Sequence, residues 1–531
     1  MDKRVTRARA AETGGWWRHG TIYQVYPRSF RDLSGDGIGD LAGIREKVDY
    51  LDWLGVDAIW LSPIFPSPMA DFGYDVADYR SVDPLFGTLD DLDALIEELH
   101  RREMRLLLDF VPNHTSDQHP WFLDSRSSRD AARRDWYIWR DPAWDGGAPN
   151  DWQSMFGGSA WELDQRTGQY YFHAFLREQP DLDWTNPRVR AEMHDVMRFW
   201  LRRGIDGFRI DVLWMLAKRP ELEQLPVGER MGPPGPTNYW RDEPEIHDIV
   251  AELRAVADEF DDRLLVGELY QDVERLVTYY GEDGRGIHLP FNFQLLLLPW
   301  RAPCIRPVVR RYESLLPEGA WPNWVLGNHD NSRIASRAGA AQARVAAMLL
   351  LTLRGTPTLY YGDELGMADV DIPPDAMRDP QGLRGGFNRD VARTPMRWAG
   401  GPQAGFSDGR PWLPIGPGVG QINVAAQFDD QASMLSYYRR LLELRRREPA
   451  LHAGEWHDLG GRGSVLAYLR SDSGKRFLVA LNLAGRRAAL PPAARGLRGR
   501  IALSTDPADD GRSWLAEGTL AANRGVVVEL D

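Results

Sequence analysis

The chain has 531 residues, enough at roughly 150 per domain for three to four domains, or for one enlarged barrel with attachments. With 43% hydrophobic and 27% charged residues and a net charge of −13, its composition excludes a disordered or fibrous chain, and it lacks the basic surface that neutralising nucleic-acid phosphates requires. The single cysteine, Cys304, excludes an intrachain disulfide and fits a reducing compartment.

At the N-terminus, Lys3, Arg4, Arg7 and Arg9 are not followed by the apolar run of a secretory signal, and no apolar stretch approaches the ~18 residues of a membrane span. The expectation is a cytoplasmic protein, monomer or homo-oligomer, with neither membrane nor nucleic acid as partner. Eight β-rich runs then follow in order: 22–26 (IYQVY), 57–63, 105–111, 207–212, 263–269, 288–293, 324–330 and 356–362. Between them lie amphipathic helical patterns, among them 43–55, 88–104 with Thr88 as N-cap, 189–204 and 343–355. Strand and helix alternating eight times predict an α/β fold, a parallel (β/α)8 TIM barrel. After the third strand, 112–184 is rich in Asp, Trp, Gly and Pro and lacks helical period, which predicts an inserted subdomain on the face where barrel active sites lie. Past a helix at 433–451, apolar residues alternate at 464–470, 477–483 and 526–530, which predicts a C-terminal antiparallel β domain. The expected division is 1–111 with 185–451 as barrel, 112–184 as insert and 452–531 as a C-terminal β-sandwich.

Catalysis on a barrel draws on the C-terminal ends of its strands. There, Asp211 closes GFRID, Glu268 closes LLVGE and Asp330 closes VLGNHD. One such Asp is more often a helix N-cap than a catalyst. Three carboxylates ending largely apolar strands instead suit glycoside hydrolysis, where one group serves as nucleophile or base and another as acid. Arg209 stands two residues before Asp211, on the same strand face, placed to pair with it.

DFVPNH (109–114), GFRID (207–211), GE (267–268) and NHD (328–330) resemble, in order and spacing, the four conserved regions of the α-amylase superfamily, glycoside hydrolase family thirteen. QPDLDW (179–184), GTPTLYYGDELGM (355–367), RDVARTPMRW (389–398) and PWLP (411–414) look like its oligo-1,6-glucosidase and α-glucosidase branch. The resemblance implies Asp211 as the nucleophile that forms a β-glucosyl ester, Glu268 as acid/base and Asp330 as the third carboxylate gripping sugar hydroxyls. It further implies that Asp71, Tyr74, His114, Phe175, Arg209, His329 and Arg389 line the subsite of the non-reducing glucose. Exo-acting, retaining release of glucose from small α-glucosides follows. Val212 matches a residue associated with α-1,6 preference, whereas Phe72, Asp183, Asn331 and Ser332 depart from the branch pattern, so linkage is left open among α-1,1, α-1,2, α-1,4 and α-1,6. Transglucosylation or isomerisation would use the same residues. A non-catalytic amylase-like protein is disfavoured by the complete carboxylate set. The four Trp of the insert, Trp136, Trp139, Trp144 and Trp152, are candidates for stacking on sugar rings.

An acidic loop, RDLSGDGIGDL (31–41), puts Asp32, Ser34, Asp36, the Ile38 carbonyl and Asp40 at positions one, three, five, seven and nine of an EF-hand-like spacing, with Gly37 at six and Gly43 where the bidentate Glu would stand. It resembles the Ca2+ or Mg2+ site of this branch, which implies a structural Ca2+ ahead of Mg2+ and no organic cofactor.

Overall fold

The structure is a computed structural model; it describes residues 15–218, 245–461, 463–516 and 518–531, so the basic N-terminal residues lie outside it. Eight parallel strands close into a barrel, the first in chain order pairing with both the second and the last. They are β1 (Ile22–Val25), β2 (Ala58–Leu61), β3 (Arg105–Phe110), β7 (Gly207–Ile210), β8 (Leu264–Leu269), β9 (Leu289–Asn292), β10 (Asn323–Val325) and β11 (Thr356–Tyr360). Every one of the eight β-rich runs supplies a barrel strand. The expected run at 324–330 is cut to three residues because the Asn328 side chain accepts the Asp330 N–H at 3.0 Å, folding the chain out of the ladder into a turn at the barrel mouth.

Alternate residues of a strand face the barrel interior. There Ile22, Ala58, Trp60, Leu107, Leu264, Val266, Leu289, Phe291 and Val325 form an apolar layer. One pleat nearer the C-terminal ends, the same faces turn polar and stay buried: Gln24, Ser62, Asp109, Arg209, Asp211 and Glu268. The opposite strand faces, with Tyr23, Val25, Ile59, Leu61, Phe208 and Ile210, join the large core beneath the helices. That core covers the apolar stripes of α1 (Leu89–Arg101), α2 (Pro187–Arg203), α3 (Ala340–Thr352) and α4 (Met434–Arg447). Thr88 caps α1 in a reciprocal box with Asp91, at 3.2 Å and 2.9 Å. The pattern at 43–55 forms two short helices, Leu41–Glu46 and Val48–Leu54, because Lys47 leaves helical geometry at φ −100 and ψ 6. The pattern at 433–451 stops at Arg447, since Pro449 disfavours helix in the residue before it.

Between β3 and α2, β4 (Trp139–Arg140), β5 (Trp161–Asp164) and β6 (Gln169–Phe172) make a three-stranded antiparallel sheet in the order β4-β6-β5. Beyond α4 a six-stranded antiparallel sheet includes the strands Val465–Asp472, Lys475–Asn482 and Gly525–Leu530, where period-two runs were read. One face, with Leu466, Tyr468, Phe477, Val479 and Leu481, continues the barrel's outer core. The other, with Val465, Ala467, Leu478 and Ala480, packs on Leu490 and Leu520 beside a two-stranded ribbon. No helix among the described residues is long and apolar enough to cross a membrane.

Candidate active site

The polar layer at the barrel mouth is organised around one buried guanidinium. Arg209 Nη1 donates to Asp211 Oδ1 at 2.7 Å and to Asp109 Oδ1 at 2.8 Å, and its Nη2 lies 2.9 Å from Glu268 Oε2. The Val212 N–H adds a bond to the same Glu268 oxygen at 2.8 Å. Val212 reaches it from the left-handed region (φ 35, ψ 44), a conformation that costs a β-branched residue strain. Asp109 is completed by Tyr74 Oη at 3.0 Å and Trp60 Nε1 at 3.1 Å.

Three buried carboxylates thus share one cation, and the charge balance fixes the direction of their titration. Burial, with the Glu268 and Asp109 charges, holds the Asp211 carboxyl well above the usual range against the pull of Arg209. Glu268 is raised by burial and by the charge of Asp330, again opposed by Arg209. Asp109 is pushed up to about 6, chiefly by burial. Asp211 and Glu268 therefore titrate as a pair that keeps a proton beyond ordinary carboxylate pH.

Asp330 has the opposite surroundings. Burial alone would raise it, but His329, Arg393 and Arg389 outweigh burial and hold it far below the usual range. Arg393 Nη2 lies 2.9 Å and Arg389 Nη1 3.3 Å from its Oδ1. Its side chain is 22% exposed, against 9% for Asp211 and 4% for Glu268, so it is the member of the trio most open to the mouth. Arg389 also donates to Asp71 Oδ1 at 2.6 Å and to Asp379 Oδ1 at 2.7 Å, and its guanidinium lies 5.0 Å above the Phe156 ring. The Tyr74 hydroxyl lies 2.7 Å from His329 Nε2, and His114 Nε2 lies 3.0 Å from the Tyr74 carbonyl. The Phe175 ring stands 5.2 Å from that of His114. Burial lowers His114 to about 4 and also holds His329 well below the ordinary imidazole value, so both rings are neutral near pH 7.

All ten residues assigned to catalysis and glucose binding therefore fall in one continuous network, from Asp71 through Arg389, Asp330, His329 and Tyr74 to Arg209 and the carboxyl pair. The arrangement supplies a buried carboxyl pair that shares protons, a permanent anion between two guanidiniums, and neutral imidazoles suited to hydroxyl groups.

The comparisons with known proteins agree with this geometry. The family described as Alpha amylase, catalytic domain, matches residues 24–454. The chain belongs to the α-amylase family. Relatives include a probable alpha-glucosidase of Rhizobium meliloti (strain 1021), 44% identical over 503 residues that cover 89% of this chain and 90% of that protein. An oligo-1,6-glucosidase of Heyndrickxia coagulans is 38% identical, covering 88% and 92%. Among solved structures, the isomaltulose synthase SmuA from Protaminobacter rubrum superposes with a TM-score of 0.89 at 35% identity, covering 97% of this chain and 99% of that one. An alpha-glucosyl transfer enzyme gives 0.89 at 37% identity, with 98% and 100% covered.

Within this member of the α-amylase family, Asp109, Arg393, Gln24 and Trp60 belong to the site although sequence reasoning did not single them out. Asp109 had a visible signal, since it lies two residues beyond the inward Leu107 and so must face the barrel interior. The tryptophans of the insert divide. Trp136 and Trp139 are buried against Trp121 and Phe122, with ring centroids 5.0 and 5.7 Å apart, and so present no face to a sugar. Trp152 stacks on Trp161 at 5.8 Å, and Trp144 is fully exposed.

The acidic loop closes on its own hydrogen bonds. Asp32 Oδ1 accepts from the Gly35 N–H at 2.7 Å and from Ser34 Oγ at 3.0 Å, while Oδ2 accepts from the Gly37 N–H at 2.7 Å and Ser407 Oγ at 2.5 Å. Asp40 accepts from the N–H groups of Leu33, Ser34 and Gly43, the last as a helix cap, and Asp36 accepts from the Ile38 N–H. Among the described residues no three His, Cys, Asp or Glu side chains are grouped so as to hold a metal ion.

Proposed function

We propose that this chain is an exo-acting, retaining α-glucosidase that releases glucose from the non-reducing end of small α-glucosides. The observation that carries the reading is the attachment of Asp211 and Glu268 to one guanidinium. Retention needs carboxyls only about 5 to 5.5 Å apart, whereas inversion needs about 6.5 to 9.5 Å to seat a water between them. One guanidinium, hydrogen-bonded to Asp211 and ion-paired with Glu268, keeps the two carboxyls close.

In this reading Asp211 attacks the anomeric carbon while Glu268 delivers the pair's shared proton to the departing oxygen. Glu268, now a base, then takes a proton from the water that opens the ester. Arg209 stays charged throughout and balances whichever carboxylate is ionised. Asp330, ionised at any working pH, accepts from sugar hydroxyls, and this helps catalysis to the extent that the bonds tighten as the ring distorts. The ion pair of Arg389 with Asp71, backed by Asp379, supports exo action by closing the inner end of the pocket. Arg389→Ala is expected to destabilise the protein by about 3–5 kcal/mol, because Asp71 and Asp379 would remain buried without their counter-charge. A fall in Tm together with a raised KM would show it, and unchanged values for both would sink the assignment.

Transglucosylation is the second reading, favoured by the full-length likeness to an alpha-glucosyl transfer enzyme. Incubation with maltose, isomaltose, sucrose and trehalose, with products resolved, decides between them. Glucose as the main product at low substrate is expected, and a predominance of rearranged or lengthened sugars would transfer the assignment.

For the acidic loop the proposal is a structural role carried by its own hydrogen bonds, with Ca2+ as the competing reading. EDTA is expected to leave Tm unchanged. A fall of several degrees that Ca2+ restores would establish the ion.

A further inference from the structure

We propose that Gln24, on the first barrel strand, is a positioning residue that fixes which nitrogen of His329 carries the ring proton and thereby keeps that ring a neutral Nε2–H donor at the glucose site. The proposal rests on the glucosidase reading for its kinetic consequence, but its geometry stands alone. Gln24 is fully buried. Its Nε2 lies 2.8 Å from His329 Nδ1 and 3.1 Å from Ser62 Oγ, so both amide hydrogens have acceptors. The other ring nitrogen, His329 Nε2, lies 3.2 Å from Asp330 Oδ2 and 2.7 Å from Tyr74 Oη.

A carboxylate at that distance requires the ring proton on Nε2, since a bare nitrogen facing it would be repelled. Nδ1 is then a bare acceptor that needs a donor, and Gln24 supplies it. Turning the amide around would bring Oε1 to Nδ1 and so admit a second ring proton. It would also strand the NH2 group where Oε1 now sits buried without a partner. A buried carbonyl tolerates such a place better than an unpaired amide donor. Gln24 therefore opposes protonation of His329 although the Asp330 carboxylate favours it. The other charged or titratable groups facing the ring or its peptide are Tyr26, stacked at 5.7 Å, Tyr74, and the guanidiniums of Arg393, Arg209 and Arg389, which also disfavour an imidazolium.

The test uses Gln24→Glu, whose ionised carboxylate can only accept at Nδ1, and Gln24→Met, which keeps the shape and donates nothing. Full-length enzyme labelled with 15N-histidine, with His329→Asn used to assign the signal, should show a neutral Nε2–H ring in the wild type. An imidazolium is expected in Gln24→Glu, and loss of the single tautomer in Gln24→Met. In p-nitrophenyl α-glucoside hydrolysis the acid limb of kcat/KM should move up by about one pH unit in Gln24→Glu. The optimum should fall about 10- to 100-fold in both variants, the scale on which metal-bound imidazoles lose function when their outer hydrogen-bond partner is removed. Folding is checked by Tm, and if Gln24→Glu does not fold, Gln24→Met alone decides. Folded variants that keep the wild-type ring state and acid limb would overturn the proposal. A wild type without hydrolysis would instead overturn the glucosidase reading and leave the ring measurement to decide Gln24.

Discussion

Asp211→Asn is expected to lower the hydrolysis of p-nitrophenyl α-glucoside by on the order of 10⁴-fold or more, the scale on which enzymes lose rate when a covalent nucleophile is removed. Asn keeps the shape of Asp and an oxygen that can still accept from Arg209. The guanidinium retains Asp109 at 2.8 Å and Glu268 at 2.9 Å, so no buried cation is stranded and Tm should change little. What is lost is the anion that attacks carbon. One ionisable group also leaves the cluster, the carboxyl that burial and the Glu268 charge hold raised. A fluorinated glucosyl fluoride should label the wild-type peptide containing Asp211 with one sugar, detected by mass spectrometry, and leave the variant unlabelled. Asp211→Ala guards against activity recovered by deamidation. More than a few per cent of wild-type rate in a folded variant, or a label on another peptide, would remove Asp211 from the role.

The legible part of this site and the hidden part differ in kind. Asp211, Glu268 and Asp330 could be read because each interrupts an apolar strand at the end where barrels place their chemistry, so position alone gave them meaning. Asp109 and Gln24 interrupt apolar strands too, yet their meaning lies in partners far along the chain. Asp109 is completed by Trp60, Tyr74 and Arg209, and Gln24 by Ser62 and His329, pairings that exist only once the barrel has closed in register. The insert shows the same limit. Aromatic richness marked it as unusual, but which rings face a sugar depends on how its small sheet packs, and the sheet buries Trp136 and Trp139. In the acidic loop the spacing of oxygens was visible while their direction was not. Backbone N–H groups in the turn reach Asp32 and Asp40, bonds that depend on the folded path of the loop. The eight strands were legible for a simpler reason. A strand covered on both faces is apolar along its length, and its ends are marked by polar turns that local chemistry determines.

Glu268→Gln should have an effect that depends on what departs. With maltose or isomaltose the leaving oxygen is a poor one and needs the proton that Gln cannot give, so a loss of about 10²- to 10⁴-fold is expected. With p-nitrophenyl α-glucoside the leaving group departs without a proton, so the first step should be nearly preserved. Water must still open the ester without a base, and a burst of nitrophenol followed by slow turnover is expected. Azide, which attacks as an anion and needs no base, should restore the steady rate and yield glucosyl azide of retained configuration. The pH dependence follows from the direction of the shift. Burial and the neighbouring Asp330 charge raise Glu268, so its proton persists above the ordinary carboxylate value of about 4.3 and activity falls as pH rises through the raised value. The wild-type alkaline limb should therefore lie well above that value, and it should be absent from the burst rate of the variant, which has no proton to lose there. The two ends of the network then have separate signatures. The acid limb belongs to groups that must stay unprotonated, Asp211 and His329 among them, and the alkaline limb to the proton held by Glu268. An alkaline limb that survives unchanged in Glu268→Gln, or equal losses with nitrophenyl and sugar leaving groups, would take the proton transfer away from Glu268.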